Sequence, residues 1–599
     1  MKKFWILLIG FFILILLILR GIPFLINQYL NANADRIVTN LITRTSFFGG
    51  HEISFGNIRL DYNYFGTYLK IENIRVFPSK ELAEDDIKVD LTIDNLNVTG
   101  FQWSDFFMRN SISVDSALIN NIRVVSSGPP IDSLDLKPKK KPKKEKSKDY
   151  DLIEVKHFDL NKLNIEVVNN LYDSVRISLK DMDLHANNFQ LTKEDIEDPK
   201  SLFHVDWVKG SIQGAEFHFD KFRQYAKVEG ITLDTKANTM SIGYLGLLNK
   251  LGRYEYTSQF ADRQSWTQIT EAQMDMKGVH FSSFFRKGIV EIDTVYANNM
   301  HVEIFVDKRK PEDLEKRPQM VHQIFGNLRQ IIHIDHTFIK NGYLKIEERP
   351  DNKSPRSGYL YFSDMNAHAI NVSNYIEKRG ENKLLRLEAS GKLMGLGLLN
   401  AVVQYDLENV KGNFSLKGSL GKMDLTSLRT MIEPQAKASI KSGQLNNLSF
   451  DIQGNDYDGT GKLTFLYENL EVELLNQDFE RDRNVFRQIG AFIANNVVIK
   501  SNNPKKNGET MSGTVYYIRD THKSMFSYWW KLIFSGLKST LTGDDLEKLK
   551  KKELERVSGD NGPKNTEKES NAQNKSRPQE EKLSRKEKRE ARKESKKSD

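Results

Sequence analysis

The chain of 599 residues contains no cysteine, which removes disulfide frameworks, thiolate metal sites and cysteine-nucleophile enzymes from consideration. Pro/Gly-rich linkers of the kind that separate independent domains are also lacking. Recognisable catalytic and cofactor constellations are missing too. His333 and His336 form H-x-x-H in an alternating stretch, a spacing that sends the two rings to opposite faces of a regular strand. Gly395-Leu396-Gly397 has neither the third glycine nor the strand-loop-helix setting of a dinucleotide loop, and reads as a turn. In Asn455-Asp456-Tyr457-Asp458-Gly459, Gly454 stands where a calcium loop needs its first acidic ligand, so a hairpin turn is expected. Scattered Asp and Glu offer no pair that the sequence itself brings together. The expectation is a protein without cofactor, metal or enzymatic site.

What is present begins with an uncharged run from Phe4 to Leu19, almost wholly Phe, Ile and Leu. Arg20 interrupts it, but its stem can snorkel while Gly21 to Ile26 adds apolar length, giving the roughly 20 residues that span a bilayer. Lys2 and Lys3 precede the run and are retained on the cytoplasmic side, so the body is expected on the non-cytoplasmic side. Ala32-Asn33-Ala34 has the form of a signal-peptide cleavage site but lies far beyond the apolar run. Retention as a single-pass membrane anchor is therefore favoured over cleavage, and export follows from both. A hydrophobic content of 39% permits a sizeable core. The net charge of +8 is concentrated in basic segments on the exported side, so nucleic acid is not an expected partner.

Alternation of apolar and polar residues dominates the body and marks strands with one buried face. A more specific phrase recurs: apolar, polar, then Asn, Asp or Gly, then apolar, polar, apolar. Copies centre on Asn57-Ile58-Arg59-Leu60, Asn73-Ile74-Arg75-Val76, Asn95-Leu96, Asn121-Ile122, Asp181-Met182-Asp183-Leu184, Gly230-Ile231, Gly278-Val279, Asp364-Met365 and Asn469-Leu470. Apolar residues three apart point to opposite faces of a regular strand. Asn, Asp and Gly tolerate the left-handed conformation, so a bulge or tight turn there returns the following side chains to the original face. Repeated bulges would curl a long antiparallel sheet into a trough with one oily side. Ordinary β-sandwich hairpins are the alternative, and the trough is preferred because the phrase persists over most of the body. On this reading Ile58, Leu60, Ile74, Val76, Met182, Leu184, Phe465 and Tyr467 line the groove, while Arg59, Arg75, Asp183 and Thr464 face away.

The Lys/Pro run from Lys137 to Lys148 reads as a solvated insertion separating two parts of the sheet, with attraction to lipid headgroups a lesser alternative. Helices are expected through Ile37, Val38, Leu41 and Ile42, from Gly243 to Leu251, and from Leu425 to Ile432, the last stopped by Glu433-Pro434. Phe526, Trp529, Trp530, Ile533, Leu537 and Leu541 form an amphipathic face with Lys523, Ser527, Lys531, Ser535 and Lys538 opposite. That helix either caps the sheet, which is favoured, or touches a membrane. Beyond Asp544 the chain reads as disordered or as an isolated charged helix. The implied organisation is an anchor and juxtamembrane helix (1–47), an N-terminal groove part (48–130), a Lys/Pro-rich linker (131–150), the main groove body (151–520), an amphipathic helix (521–543) and a charged tail (544–599).

The order of these features resembles the AsmA-like family, the group that includes TamB and YhdP, and particularly its shorter Bacteroidetes-type members. The likeness rests on the anchor followed by Phe48-Gly49-Gly50-His51-Glu52-Ile53-Ser54-Phe55-Gly56-Asn57-Ile58. It rests also on Leu425-Thr426-Ser427-Leu428, Ile440 to Leu445 and Gly461 to Leu470, in that order. The Lys-rich insertion, the charged tail and the shorter body depart from the longer members. The resemblance implies an inner-membrane protein with a mainly β, curled groove that shields phospholipid or other acyl lipid in the periplasm and supports lipid transport to, or homeostasis of, the outer membrane. A second class stays open: an assembly factor that binds outer-membrane or periplasmic envelope proteins by strand pairing.

Overall fold

The computed structural model describes residues between Arg20 and Gly559, apart from 39–49, 129–149, 170–173, 196–203, 379–383, 481–500 and several shorter gaps. The expected anchor, the Lys/Pro run and the last forty residues lie outside the described residues. Among those described, no helix is long and apolar enough to cross a membrane.

Among the described residues strand makes up 58% and helix 20%, and all 22 strands described belong to one sheet. The order is nearly sequential. β1 (His51–Ser54) and β2 (Asn57–Asn63) lie end to end along β3 (Gly66–Pro78), followed by β4 (Lys88–Thr99), β5 (Ser111–Gly128), β6 (Leu152–Asn169) and β7 (Ser174–Thr192). Next come β8 (Trp207–Phe219), β9 (Gln224–Asp234), β10 (Thr239–Asn249) and β11 (Ser265–Val279). β12 (Ile289–Asn298) and β13 (His301–Asp307) share one position between β11 and β14 (Ile331–Arg349). β15 (Gly358–Ser373), β16 (Leu384–Leu393) and β17 (Gly397–Asp406) follow. β18 (Phe414–Leu420) with β19 (Met423–Asp424), β20 (Ala438–Gly454), β21 (Asp458–Leu474) and β22 (Ser512–Ile518) complete the sheet.

The purely antiparallel sheet expected from the sequence is corrected at two places. β5 and β6 pair in parallel from Ser111↔Leu152 to Gly128↔Asn169, and β12 and β13 both pair in parallel with β14. A parallel step needs a long return connection. Residues 129–151 supply the first, and the strands on either side of the basic insertion pair directly with each other. Residues 308–330, with the helix Val321–Asn327, supply the second.

Seven of the nine phrases hold a left-handed residue where one was expected: Asn73, Asn121, Asp181, Gly230, Gly278, Asp364 and Asn469 have φ between 47° and 64°. Burial follows the reset. In β3, Ile71, Ile74 and Val76 are buried, and in β21, Phe465, Tyr467 and Leu470 are. The register shifts at Asp364, as a one-residue bulge requires. At Asn73 it does not: Glu72 faces Asn95 and Ile74 faces Ile93, because Asp94 leaves the ladder opposite it. Gly278 is left-handed at φ 64°, and a Cβ there would stand 2.0 Å from Asp293 Oδ2, so any side chain would have to displace Asp293.

Three further expectations need correction. Gly243 to Leu251 is not helical; it lies mostly in β10, where Ile242, Leu245 and Leu247 pair with Ile231, Val228 and Ala226. Glu433-Pro434 does not end its helix, which runs from Arg429 to Ala436 and stops at left-handed Lys437. Past Asp544, the helix Leu546–Gly559 is neither isolated nor disordered, since it buries Leu549 and packs on β22.

Candidate functional site

Following the register from strand to strand exposes a feature that no single segment displays. From Ile74 a row of facing residues runs through Ile93, Ile122, Leu163, Met182, Ile212, Ile231, Ile242 and Met274. It continues through Ala297, Ile339, Ala367, Ala389, Ala401, Gly418, Phe450 and Leu463 to Gly513. Not one member is polar. The adjacent row, which includes Leu96, Ile119, Leu160, Leu184, Leu233, Met240, Met276 and Val295, meets its first hydroxyl at Thr337. At roughly 4.8 Å per strand each row extends some 80–90 Å.

The other face is polar. Asp159, His185, Lys209 and Asp234 follow one another across β6–β9, and a chain of amides links Asn97, Asn95, Asn120 and Asn161 through bonds of 2.7–3.3 Å. Such side-chain ladders hold strands together while leaving that face to water.

Cover over the apolar face varies along the sheet. At the C-terminal end the helix Met525–Thr542 lies on β21 and β22, and Val403, Leu416, Ile452, Leu463 and Val515 are buried beneath it with Tyr528 and Leu532. Gly536 permits this close approach, since a Cβ there would stand 2.7 Å from Leu463 Cβ. At the N-terminal end Leu30, Ala34 and Val38 cover Leu60, Ile71 and Ile74. Near β12, Phe281 of the helix Phe281–Lys287 packs with Val279, Ile292 and Val295. Across β7–β10 no described helix packs broadly, and Met182, Leu184, Ile212, Ile231 and Ile242 remain partly exposed.

The eight groove candidates all lie on this face, but not in one environment. Leu60, Ile74, Val76, Phe465 and Tyr467 are buried, with burial pushing the Tyr467 hydroxyl up to about 12. Ile58, Met182 and Leu184 are partly exposed. The partly open stretch of β8–β10 was marked by its Gly230 phrase but not singled out, because cover by distant segments is not written into local spacing.

Of the cap candidates, Trp529, Ile533 and Leu537 pack against the C-terminal core, whereas Phe526 and Trp530 are exposed. The buried face is rotated from the expected one and centres on Tyr528, Leu532 and Gly536. Lys531 is not on a solvated side; desolvation, compounded by Lys523, lowers its pKa. Ser535 and Ser539 also turn inward, and their hydroxyls explain why.

Helices occupy part of both outer edges of the sheet through side chains. On β22, Ser539 Oγ donates to Thr514 O at 2.6 Å and Ser535 Oγ to Tyr516 O at 2.8 Å, while Arg556 Nη2 donates to Ile518 O at 2.7 Å. On β2, Asn31 accepts from Leu60 N at 3.0 Å and donates to Leu60 O at 2.6 Å, and Asn27 makes the same two bonds to Tyr62. Side chains four apart on a helix rise about 6 Å, which matches alternate residues of a strand. Each pair therefore occupies backbone groups that would otherwise accept an added strand.

A polar knot holds the covered end together. His322 Nε2 lies 3.3 Å from Asp456 Oδ2, and Arg519 donates to Asp456 O at 3.4 Å and Pro318 O at 3.2 Å. Burial raises the Asp456 pKa against the opposing pull of His322 and Arg519. The turn that carries Asp456 is the expected hairpin, with Asn455 N donating to Asp458 O at 3.0 Å. His333 and His336 have separate partners, Ser373 and His368, at 3.0 and 3.1 Å. Among the described residues no group of three candidate metal ligands occurs. No family model matches the chain, and no curated protein matches it.

Proposed function

We propose that this chain is a membrane-anchored envelope protein whose apolar sheet face curls into a groove and shields lipid acyl chains, supporting phospholipid transport to, or homeostasis of, the outer membrane. The observation that carries the proposal is the unbroken apolar row, over which no described helix packs broadly across β7–β10. Contiguous apolar surface left partly open to solvent is the kind of surface that marks a binding face. Each acyl CH₂ moved from water onto it gains about 0.8 kcal/mol, and no catalytic group is required. The resemblance to AsmA-like proteins supports the same reading, including an N-terminus in the cytoplasm and a periplasmic body. Helices bonded along β22 and β2 weigh against assembly by strand pairing there.

Photocrosslinkers at Met182, Leu184, Ile231 and Ile242 should capture phospholipid in cells, and those at Asp183, Thr232 and Asp275 should capture little. Equal labelling of both sets would sink the one-sided groove.

A further inference from the structure

We infer that the short helix Trp103–Arg109 dips into the lipid bilayer beside the anchor and seats the N-terminal corner of the sheet on the membrane. The inference rests on the reading of Phe4 to Leu19 as a membrane span. Phe107 and Met108 are 74% and 86% exposed, adjacent, and large. A seven-residue helix made to shield the core would not present both to water.

Their place in the fold identifies what covers them. Helical residues 23–32 run along β2 in the opposite direction, as Asn27 at Tyr62 and Asn31 at Leu60 show. The end of that helix leading back to the apolar run therefore lies where β2 ends and β3 begins. Phe24 and Leu25 are exposed there, at 66% and 64%. β4 ends at the same corner, since Thr99 faces Tyr68 and Gly100 N donates to Thr67 O at 3.0 Å.

The helix Trp103–Arg109 follows directly and is held rigidly. Trp103 Nε1 donates to Thr67 Oγ1 at 2.7 Å, its ring packs with the cluster of Leu30, Ala34 and Leu60, and Phe107 stacks on it with 5.8 Å between centroids. Two exposed apolar pairs, Phe24-Leu25 and Phe107-Met108, thus share one corner a few residues from the run read as the span. Arg109, three-quarters exposed, borders them. Aromatic and aliphatic residues flanked by a cation suit the bilayer interface. Docked there, the first strands of the apolar face abut the membrane.

Because the chain has no cysteine, single cysteines report without background. Full-length Phe107→Cys, Met108→Cys, Leu16→Cys and Leu396→Cys, each carrying a nitroxide, would be reconstituted into phosphatidylcholine/phosphatidylglycerol liposomes and tested for collision with oxygen and with a water-soluble nickel chelate. Labels at 16, 107 and 108 should favour oxygen, and the label at 396, in the turn between β16 and β17, should favour nickel. A lipid signal at 16 with aqueous signals at 107 and 108 overturns the inference and leaves the anchor standing. Aqueous signals at all four positions overturn both. The double variant Phe107→Ser/Met108→Ser should stay membrane-anchored yet lose lipid crosslinking at Met182 several-fold; unchanged crosslinking counts against seating.

Discussion

Strands β17–β22 and strands β7–β10 present the same kind of side chain on the same face, and differ in what lies above it. Over β17–β22 a helix seats Leu532 and Tyr528 on the sheet, and Ile452 and Val515 lose all contact with water. Over β7–β10 Ile212, Ile231 and Ile242 keep partial exposure. One region is a closed core that gives stability. The other keeps part of its apolar surface open among the described residues, and on the proposed function it is the face that binds lipid. Apolar patterning thus specifies a face, while a segment from elsewhere in the chain determines whether that face is interior.

The sharpest way to break this comparison is truncation on either side of it. Leu532→Ala should cost about 3 kcal/mol, within the range for a fully buried leucine. Ile231→Ala, at a partly exposed position with no described helix above it, should cost less, about 1–2 kcal/mol. Denaturant unfolding followed by tryptophan fluorescence and circular dichroism would read both. Equal costs would mean that β7–β10 are covered in solution after all.

The edge bonds come next in size. Asn31→Ala strands the N–H and C=O of Leu60, and Ser539→Ala strands the carbonyl of Thr514; each should cost roughly 1–2 kcal/mol. The Asn31 variant should also raise the tendency to aggregate, because it exposes a strand edge. Light scattering at matched concentration would check this, and an unchanged scattering profile would argue that other side chains suffice to block β2.

Asp424 caps the turn leading into the Arg429–Ala436 helix, accepting from Thr426 N at 2.9 Å. That backbone bond holds its carboxyl below the usual carboxylate range. The stabilisation is present above that range and lost as pH falls through the lowered value. Asp424→Ala should cost about 1 kcal/mol at most near neutrality, since the carboxylate is exposed and screened. The difference from the parent should vanish in acid; a gap that persists there would assign the loss to packing.

The smallest effect is expected at Lys531. Its ammonium is desolvated within the covered end, so Lys531→Met should stabilise by less than about 1 kcal/mol. A lysine whose folded pKa is lowered costs most when it is fully charged, and the cost fades as pH rises towards the ordinary lysine range. The gain in melting temperature should therefore shrink with rising pH, and a gain independent of pH would trace to packing alone.

Local spacing determined much of this protein. The Asn, Asp and Gly of the recurring phrase marked the left-handed breaks, and those breaks placed Ile74, Met182 and Phe465 on a common face, because strand parity is a property of neighbours in the chain. The same logic failed where two periodicities overlap. Tyr244, Leu247 and Leu248 suit a helix, yet pairing with β9 and β11 makes Thr239–Asn249 a strand. The face of the Met525–Thr542 helix was misplaced because Ser535 and Ser539, polar by composition, turn inward to bond the β22 backbone. The tertiary structure alone decided the parallel steps, the helix-bonded edges and the partly open stretch. Each depends on which remote segments meet, as Asn27 and Asn31 meet β2, and side-chain spacing within one strand carries no information about what packs against it.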